Sequence, residues 1–254
     1  MLAEERRAIL ISSLRDTGYV QVAEVAEDLN ISAATIRRDL TLLEKQGFCI
    51  RKRGGAIRSS QSTTMELPYE VKRQHNIQEK QRIAQEAFKF VENGDTIILD
   101  SGSTTYGLAQ LLSKKQRLTI VTNDLNIAVL VASNPNLYLI CTGGTARANV
   151  FALQGAQVES FIKELRVDTT FLAADSIHTD GGIGNVNIDE VAIKRAMVSA
   201  ASQVILLADS SKFNVIGFAN VCNLADIDVL ITDRNAPKTA IKMLKEHNIK
   251  YILA

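Results

Sequence analysis

Apolar residues near the start of the chain recur at helical spacing. Ala8, Ile9, Ile11 and Leu14 form one stripe, stopped near Gly18. Val22, Val25, Ala26 and Leu29 form a second, ended by Asn30. Ile36, Leu40 and Leu43 stand at i, i+4 and i+7 of a third, with Ser32 as its N-cap and Gly47 as its stop. The period then changes. Phe48 to Arg51 reads as a short strand, Gly54-Gly55 as a tight turn and Ala56-Ile57 as a returning strand.

Further on, short apolar runs alternate with amphipathic ones. Thr96–Leu99, Leu118–Val121, Leu137–Ile140, Thr170–Ala174, Val204–Ala208, Val229–Thr232 and Ile249–Leu253 are the strand-like runs. Strands that alternate with helices predict an open parallel sheet covered on both faces. Between the two patterns lies a Ser-, Thr- and Gln-rich stretch with Pro68, the composition of a linker. The expected organisation is a helical domain over 1–58, a linker over 59–78 and an α/β domain over 79–254.

Composition narrows the class. The chain has 254 residues, 46% hydrophobic and 22% charged, which is ordinary for a folded protein. Its net charge is +1, so any affinity for nucleic acid must be local. No apolar run reaches the ~18 residues of a membrane span. The opening residues carry charges on both sides of a short apolar stretch, unlike a signal peptide. Cys49, Cys141 and Cys222 are scattered, without the spacing of a zinc site or a disulfide framework. A reducing cytoplasm is expected, with the thiols as packing residues. His75, His178 and His247 are equally dispersed and expected in surface or capping roles. No metal and no cofactor are expected.

Charge is unevenly spread. Arg37 to Arg58 holds seven basic and two acidic residues, whereas residues 1–36 hold three basic and six acidic. Two short helices, a tight junction at Leu29–Ser32 and a polar third helix make a helix-turn-helix candidate, the alternative being a three-helix bundle with a solvated basic face. The start of the third helix presents Ser32, Ala33, Thr35, Arg37 and Arg38. Arginine can bridge a guanine edge, threonine or alanine can touch a thymine methyl, and the helix start can meet a phosphate. The hairpin adds Arg51, Lys52 and Arg53.

These residues carry a resemblance. Ser32-x-x-Thr35-Ile36-Arg37-Arg38-Asp39-Leu40, Leu43-Glu44, Gly47 and Arg53-Gly54-Gly55-Ala56 resemble the N-terminal domain of the DeoR family of bacterial sugar-metabolism regulators. The resemblance implies a winged helix-turn-helix with Ser32–Gln46 as recognition helix. Asp39, acidic within a basic face, is read as structural, bracing Arg37, Arg38 or the wing.

The second half offers loops suited to a sugar phosphate. Asp100-Ser101-Gly102-Ser103-Thr104-Thr105 lies between a strand and a helix, where small residues, four hydroxyls and the helix N-terminus suit an anion. It is not a Walker loop. Thr122-Asn123, Gly143-Gly144, Asp175 and Asp209-Ser210-Ser211-Lys212 follow other predicted strands. In a parallel sheet these ends share one edge, where ligands bind. Lys212 supplies a point charge for phosphate. Glu190 and Lys194, at i and i+4, are either a surface pair or a polar pair lining the pocket.

From about Glu79 onward the chain also resembles the DeoR-family effector domain, itself similar to ribose-phosphate isomerases and CoA-transferase-like proteins. The resemblance implies effector contacts from Asp100, Gly102, Ser103, Thr104, Thr105, Thr122, Asn123, Gly143, Gly144, Asp175, Glu190, Lys194, Asp209, Ser211 and Lys212. Gly184-Asn185 replaces a Thr-Thr common in the family, and the hydroxyls common near Val150 and Ala152 are missing.

The resulting expectation is a DNA-binding regulator, a repressor by family habit. Its partners would be double-stranded operator DNA and a phosphorylated sugar, with no membrane, in a homo-oligomer (dimer or tetramer). An isomerase with an added N-terminal module is the alternative. It would use Asp100, Asp175, Glu190 and Lys194 as acid/base groups and would not need a basic wing. A protein-binding adaptor, a third reading, would show no salt-sensitive DNA binding.

Overall fold

A computed structural model of the chain describes residues 1–46, 48–58, 69–147, 150–178, 182–213 and 215–254. Gly47 and the first half of the expected linker, residues 59–68 with Pro68, lie outside the described residues. The chain divides into two compact units, Met1–His75 and Asn76–Ala254.

In the smaller unit α1 (Ala3–Thr17), α2 (Val22–Asp28) and α3 (Ala33–Lys45) are the three expected helices, but in α1 the expected Ile9 is exposed and Leu10 takes its place in the core. Their apolar faces meet in a core of Leu10, Ile11, Leu14, Val22, Ile36, Leu40 and Leu43, closed by Phe48 and Cys49. The hairpin is β2 (Cys49–Lys52) and β3 (Gly55–Arg58), in antiparallel register with Ile50 opposite Ile57. Arg53 and Gly54 form its two-residue turn, and Gly54 takes a φ of +88° that a side chain would resist.

A further strand was not expected. β1 (Tyr19–Gln21) joins α1 to α2 and pairs with β3, so the wing is a three-stranded sheet. Gly55 explains the fit. A Cβ there would lie 2.0 Å from the Val20 carbonyl oxygen. The stretch expected as a linker also contains structure: α4 (Tyr69–Gln74) packs on α1, with Tyr69 buried.

The larger unit begins with α5 (Ile77–Phe88) and then alternates as expected. The strands are β4 (Thr96–Leu99), β5 (Leu118–Thr122) and β6 (Leu137–Cys141), with α6 (Ser103–Leu111) and α7 (Leu125–Ala132) between them. A short hairpin follows, β7 (Thr145–Ala146) with β8 (Leu153–Gln154), then α8 (Ala156–Lys163) and β9 (Val167–Ala173). β10 (Ser176–His178) and β11 (Gly182–Asn185) lead to α9 (Ile188–Ala200) and β12 (Ala201–Leu207). β13 (Ala219–Cys222), β14 (Val229–Thr232), α10 (Lys238–Glu246) and β15 (Lys250–Leu253) complete it.

Seven strands form one parallel sheet in the order β6-β5-β4-β9-β12-β14-β15. Alternate side chains feed opposite faces. Ile97, Leu99, Ile205 and Leu207 pack with Ile83 of α5, Leu108 of α6 and Ile127 of α7. Ile98 joins Val158 of α8 with Ile193 and Met197 of α9, while Leu206 packs with Val191 and with Met243 of α10. The winding runs outward from β4 to β6, then returns to place β9 on the other flank of β4. That reversal is a topological switch point, and in open α/β sheets the crevice that takes a ligand lies beyond the carboxyl ends of the strands there, here β4 and β9. The antiparallel sheet β10-β11-β13, rich in Gly, Asn and Ser, was not expected from the apolar pattern.

Candidate functional sites

Helix α3 is prepared from its first residue. The Ser32 hydroxyl accepts the Thr35 backbone N–H at 3.2 Å and lies 2.9 Å from the Thr35 hydroxyl. Ile36, Asp39, Leu40 and Leu43 are buried, which leaves Ser32, Arg37 and Arg38 exposed and Thr35 half-buried, while Ala33, also half-buried, packs against the core. Lys52 and Arg53 stand exposed at the hairpin turn. The side chain of Arg58 lies outside the described residues.

Two expectations change here. Asp39 does not brace Arg37, Arg38 or the wing. Its carboxylate takes the Nε–H of Arg6 on α1, with both side chains nearly buried, so it ties the recognition helix to the helix behind it. The signal was absent because the partner lies 33 residues earlier. Arg51, expected to face DNA, is turned toward α3. Its Nη1 donates to the Thr41 hydroxyl at 2.8 Å and its backbone N–H to Glu44 Oε1 at 2.7 Å. The wing is thereby clamped to the recognition helix.

At the switch point Asp100 is 1% exposed. Its Oδ2 accepts the Ala173 N–H of β9 at 2.9 Å and pairs with the Lys194 ammonium from α9. Lys194 also donates to the Ala173 carbonyl at 3.1 Å. The other carboxylate oxygen, Oδ1, is buried without a hydrogen-bond partner among the described residues. Burial pushes the Lys194 pKa down, but Asp100, Glu190 and Asp175 outweigh it and hold the ammonium charged, with a raised pKa.

Of the two readings of Glu190 and Lys194, the surface pair fails, because both side chains are buried. The Glu190 carboxylate accepts from Asn185 Nδ2 at 3.1 Å and Asn187 Nδ2 at 3.3 Å, and lies 3.5 Å from the Arg147 guanidinium. Asn185, one of the residues that departs from the family pattern, thus has a defined partner. Asp175 accepts the Val186 N–H at 3.3 Å.

The turn after β4 is tightly built. A Cβ on Gly102 would lie 2.7 Å from the Ala173 methyl. The hydroxyls expected to face a ligand divide into two sets. Ser101 donates to Asp124 at 2.8 Å, and Thr105 to the carbonyls of Asp100 and Gly102 at 2.7 and 2.8 Å. Ser103 and Thr104 sit in the first turn of α6, which has no side-chain cap, so its leading N–H groups remain open. Thr122 and Asn123 hold strands together. Thr122 donates to the Leu99 carbonyl at 2.7 Å, while Asn123 takes the Ser101 N–H at 3.1 Å and reaches the Leu153 carbonyl at 3.4 Å. Gly143 and Gly144 follow the edge strand β6, two strands from β4, and are exposed.

A second polar cluster surrounds Asp209, beyond β12. Its Oδ1 accepts the Ser211 N–H at 3.0 Å and Asn76 Nδ2 at 2.9 Å. Burial opposes its charge, but Lys212, Lys80 and these hydrogen bonds prevail and hold its pKa at about 2. Sequence reading missed Asn76, the buried Lys80 and also Asp124, which caps α7 through the N–H groups of Asn126 and Ile127 at 2.8 and 3.0 Å. Burial raises the Asp124 pKa. Asp124 follows the Thr122-Asn123 pair directly, and its position before an apolar helical run was the available signal. Among the described residues no His, Cys, Asp and Glu side chains group as a metal site. No helix there is long and apolar enough to cross a membrane.

Residues 6–62 match a family model described as a DeoR-like helix-turn-helix domain, and residues 75–234 one described as a DeoR C terminal sensor domain. The HTH-type transcriptional regulator GolR of Listeria innocua is 33% identical over 256 residues, covering 100% of both chains. The glycerol-3-phosphate regulon repressor of Escherichia coli K12 is 31% identical over 250 residues, 98% of each chain. Among solved structures, ribose 5-phosphate isomerase A of Methanocaldococcus jannaschii is 19% identical at a TM-score of 0.41, over 54% of this chain and 55% of that one. That likeness carries no conclusion about a reaction.

Proposed function

The chain belongs to the DeoR family of DNA-binding transcriptional regulators, and from that premise we propose that it represses a sugar-utilisation operon under control of a phosphorylated sugar. The units Met1–His75 and Asn76–Ala254 divide the labour. In the first, Arg37 and Arg38 with Ser32, Ala33 and Thr35 read the major groove, while Lys52 and Arg53 meet phosphates. Arg51 contributes by holding the wing against α3.

The observation that carries the effector half is the uncapped start of α6 at the switch point of the sheet. The N–H groups of its first turn, with the Ser103 and Thr104 hydroxyls, suit a phosphate. Lys212 adds positive charge. Asp100, through its unpartnered Oδ1, suits a sugar hydroxyl, as do Asp175 and Glu190. Gly102 lets the backbone approach the ligand, and Thr105, Thr122, Asn123, Asp209 and Ser211 fix the walls. Gly143 and Gly144 border the far side. Among relatives, one is named for the regulon of a small phosphate ester, glycerol 3-phosphate.

Lys194 is read as a binding group and not as a general base. A lysine acting as general base must lose its proton near neutral pH. Lys194 instead has its pKa raised by three carboxylates. The protein is placed in the cytoplasm, as an oligomer matched to a two-fold operator.

The test uses a duplex selected from random sequence on the intact protein. Affinity should fall with salt at a slope of about −0.9 per phosphate contact in log–log form. A sugar phosphate that binds by calorimetry should weaken the duplex complex, and the unphosphorylated sugar should not. Tight binding of a free sugar would remove the phosphate from this reading.

A further inference from the structure

Two consecutive residues at the boundary of the units are each tied to a distant element of their own unit. His75 Nε2 lies 2.8 Å from the Ser12 hydroxyl of α1, in the smaller unit. Asn76, the first residue of the larger one, donates from Nδ2 to Asp209 Oδ1 at 2.9 Å, 133 residues ahead.

Asn76 is also the N-cap of α5. Asparagine in that place ordinarily accepts a hydrogen bond from the first turn of its helix. Here no such bond forms, and the side-chain amide is committed to Asp209 instead. The backbone at Asn76 is left-handed, with φ 52° and ψ 43°, and forms a turn at the start of α5. One helical turn on, the buried Lys80 directs its charge at the same carboxylate. The first element beyond the boundary is therefore fastened to a residue at the ligand-binding edge of the sheet.

We propose that the Asn76–Asp209 hydrogen bond is the element that couples occupancy of the crevice to the DNA-binding unit. This rests on the reading of that crevice as an effector site. An anionic ligand near Lys212 competes with Asp209 for its cations and repels its carboxylate. Lys80 and Lys212 act on Asp209 through full charges, whereas the amide of Asn76 holds it through a dipole, a shorter-ranged tie. It yields first. The turn at Asn76 then shifts, and His75, one peptide bond away, carries the shift to α1 through Ser12. Asn76 is a positioning residue in this scheme and touches no ligand.

The test compares the full chain with Asn76→Gly, which keeps the left-handed backbone and removes the amide, and with Asn76→Asp, which sets a carboxylate against Asp209. Ribose 5-phosphate, glucose 6-phosphate and glycerol 3-phosphate are titrated by calorimetry, and the selected duplex is titrated with and without the tightest of them. Asn76→Gly should bind the sugar phosphate within about threefold of wild type and lose at least about tenfold of its effect on duplex affinity. Asn76→Asp should shift duplex affinity without ligand, in the direction that the ligand shifts wild type. If both variants respond to ligand as wild type does, the proposal is overturned and the effector reading stands. If none of the three binds wild type, the effector reading falls and the coupling with it.

Discussion

The Lys194 ammonium and the Asp100 carboxylate meet at the point where the sheet reverses its winding, although 94 residues separate them in sequence. The pair does two things at once. It pins α9 to the ends of β4 and β9, and it fixes the orientation of the Asp100 oxygen that remains unpartnered. A buried pair is costly to break because the survivor is left charged and desolvated. Lys194→Met alone should lower the stability of the larger unit by roughly 3–5 kcal/mol. Adding Asp100→Asn should restore part of that loss. Urea unfolding followed by circular dichroism measures both, and simple additivity would show that the two side chains are energetically independent.

Asp209 gives an acid-stability prediction with a definite sign. Its pKa is depressed to about 2 in the folded protein, from 3.8. Its stabilisation is therefore complete above about pH 4 and drains away as the pH falls toward 2. The shift is worth about 2–3 kcal/mol. Asp209→Asn should flatten the acid limb of a stability–pH profile between those values and leave the neutral-to-alkaline part of its shape unchanged. A profile with the wild-type slope in that window would assign the acid sensitivity to other carboxylates.

In the wing, neighbouring arginines should behave differently. Arg53→Ala, at the exposed turn, should weaken all duplexes similarly and reduce the salt slope by about one. Arg37→Ala should cost ~1–3 kcal/mol and relax preference at one base position. Arg51→Ala removes the clamp to Thr41, so it should lower the melting temperature of the smaller unit as well as its DNA affinity. A melting curve for Arg51→Ala that matches wild type would return this residue to the simple phosphate-contact class.

Gly55→Ala should disable the winged unit from the inside. The added methyl would sit 2.0 Å from the Val20 carbonyl, a backbone atom with little room to retreat. Overpacking usually costs 1–3 kcal/mol, so a loss of at least about 2 kcal/mol is expected, with β1 detached from β3. Hydrogen exchange at Val20 and Ala56 reports it directly; unchanged protection there would mean that the strand shifts without penalty.

Much of the architecture was legible because it rests on local periodicity. The stripe Ile36, Leu40, Leu43 and the Ser32 cap specify α3 with no knowledge of the rest, and the apolar runs mark the strands of the parallel sheet. The candidate site residues were legible as a set because parallel strands bring all their carboxyl ends to one edge. Pairings were not legible. Glu190 and Lys194 have the spacing of a helical ion pair, yet burial makes each seek stronger partners, Asn185 and Asn187 for one and Asp100 for the other. Asp39 finds Arg6, and Asn76 finds Asp209, across separations that no periodicity encodes. β1 escaped notice because three residues between helices carry almost no pattern, and its place depends on a missing side chain at Gly55.

The order of strands in the sheet has a consequence for how the molecule comes into being. The winged unit ends at His75, whereas the crevice needs β4, β9 and β12 side by side, and hence the chain as far as Asp209. On the ribosome, where chains grow at about 5–20 residues per second, the part that reads DNA is complete many seconds before the part that receives the signal. Parallel neighbours distant in sequence are also slow to pair, because loop closure must precede their contacts. The newborn protein thus passes through an interval in which it has a reader and no sensor.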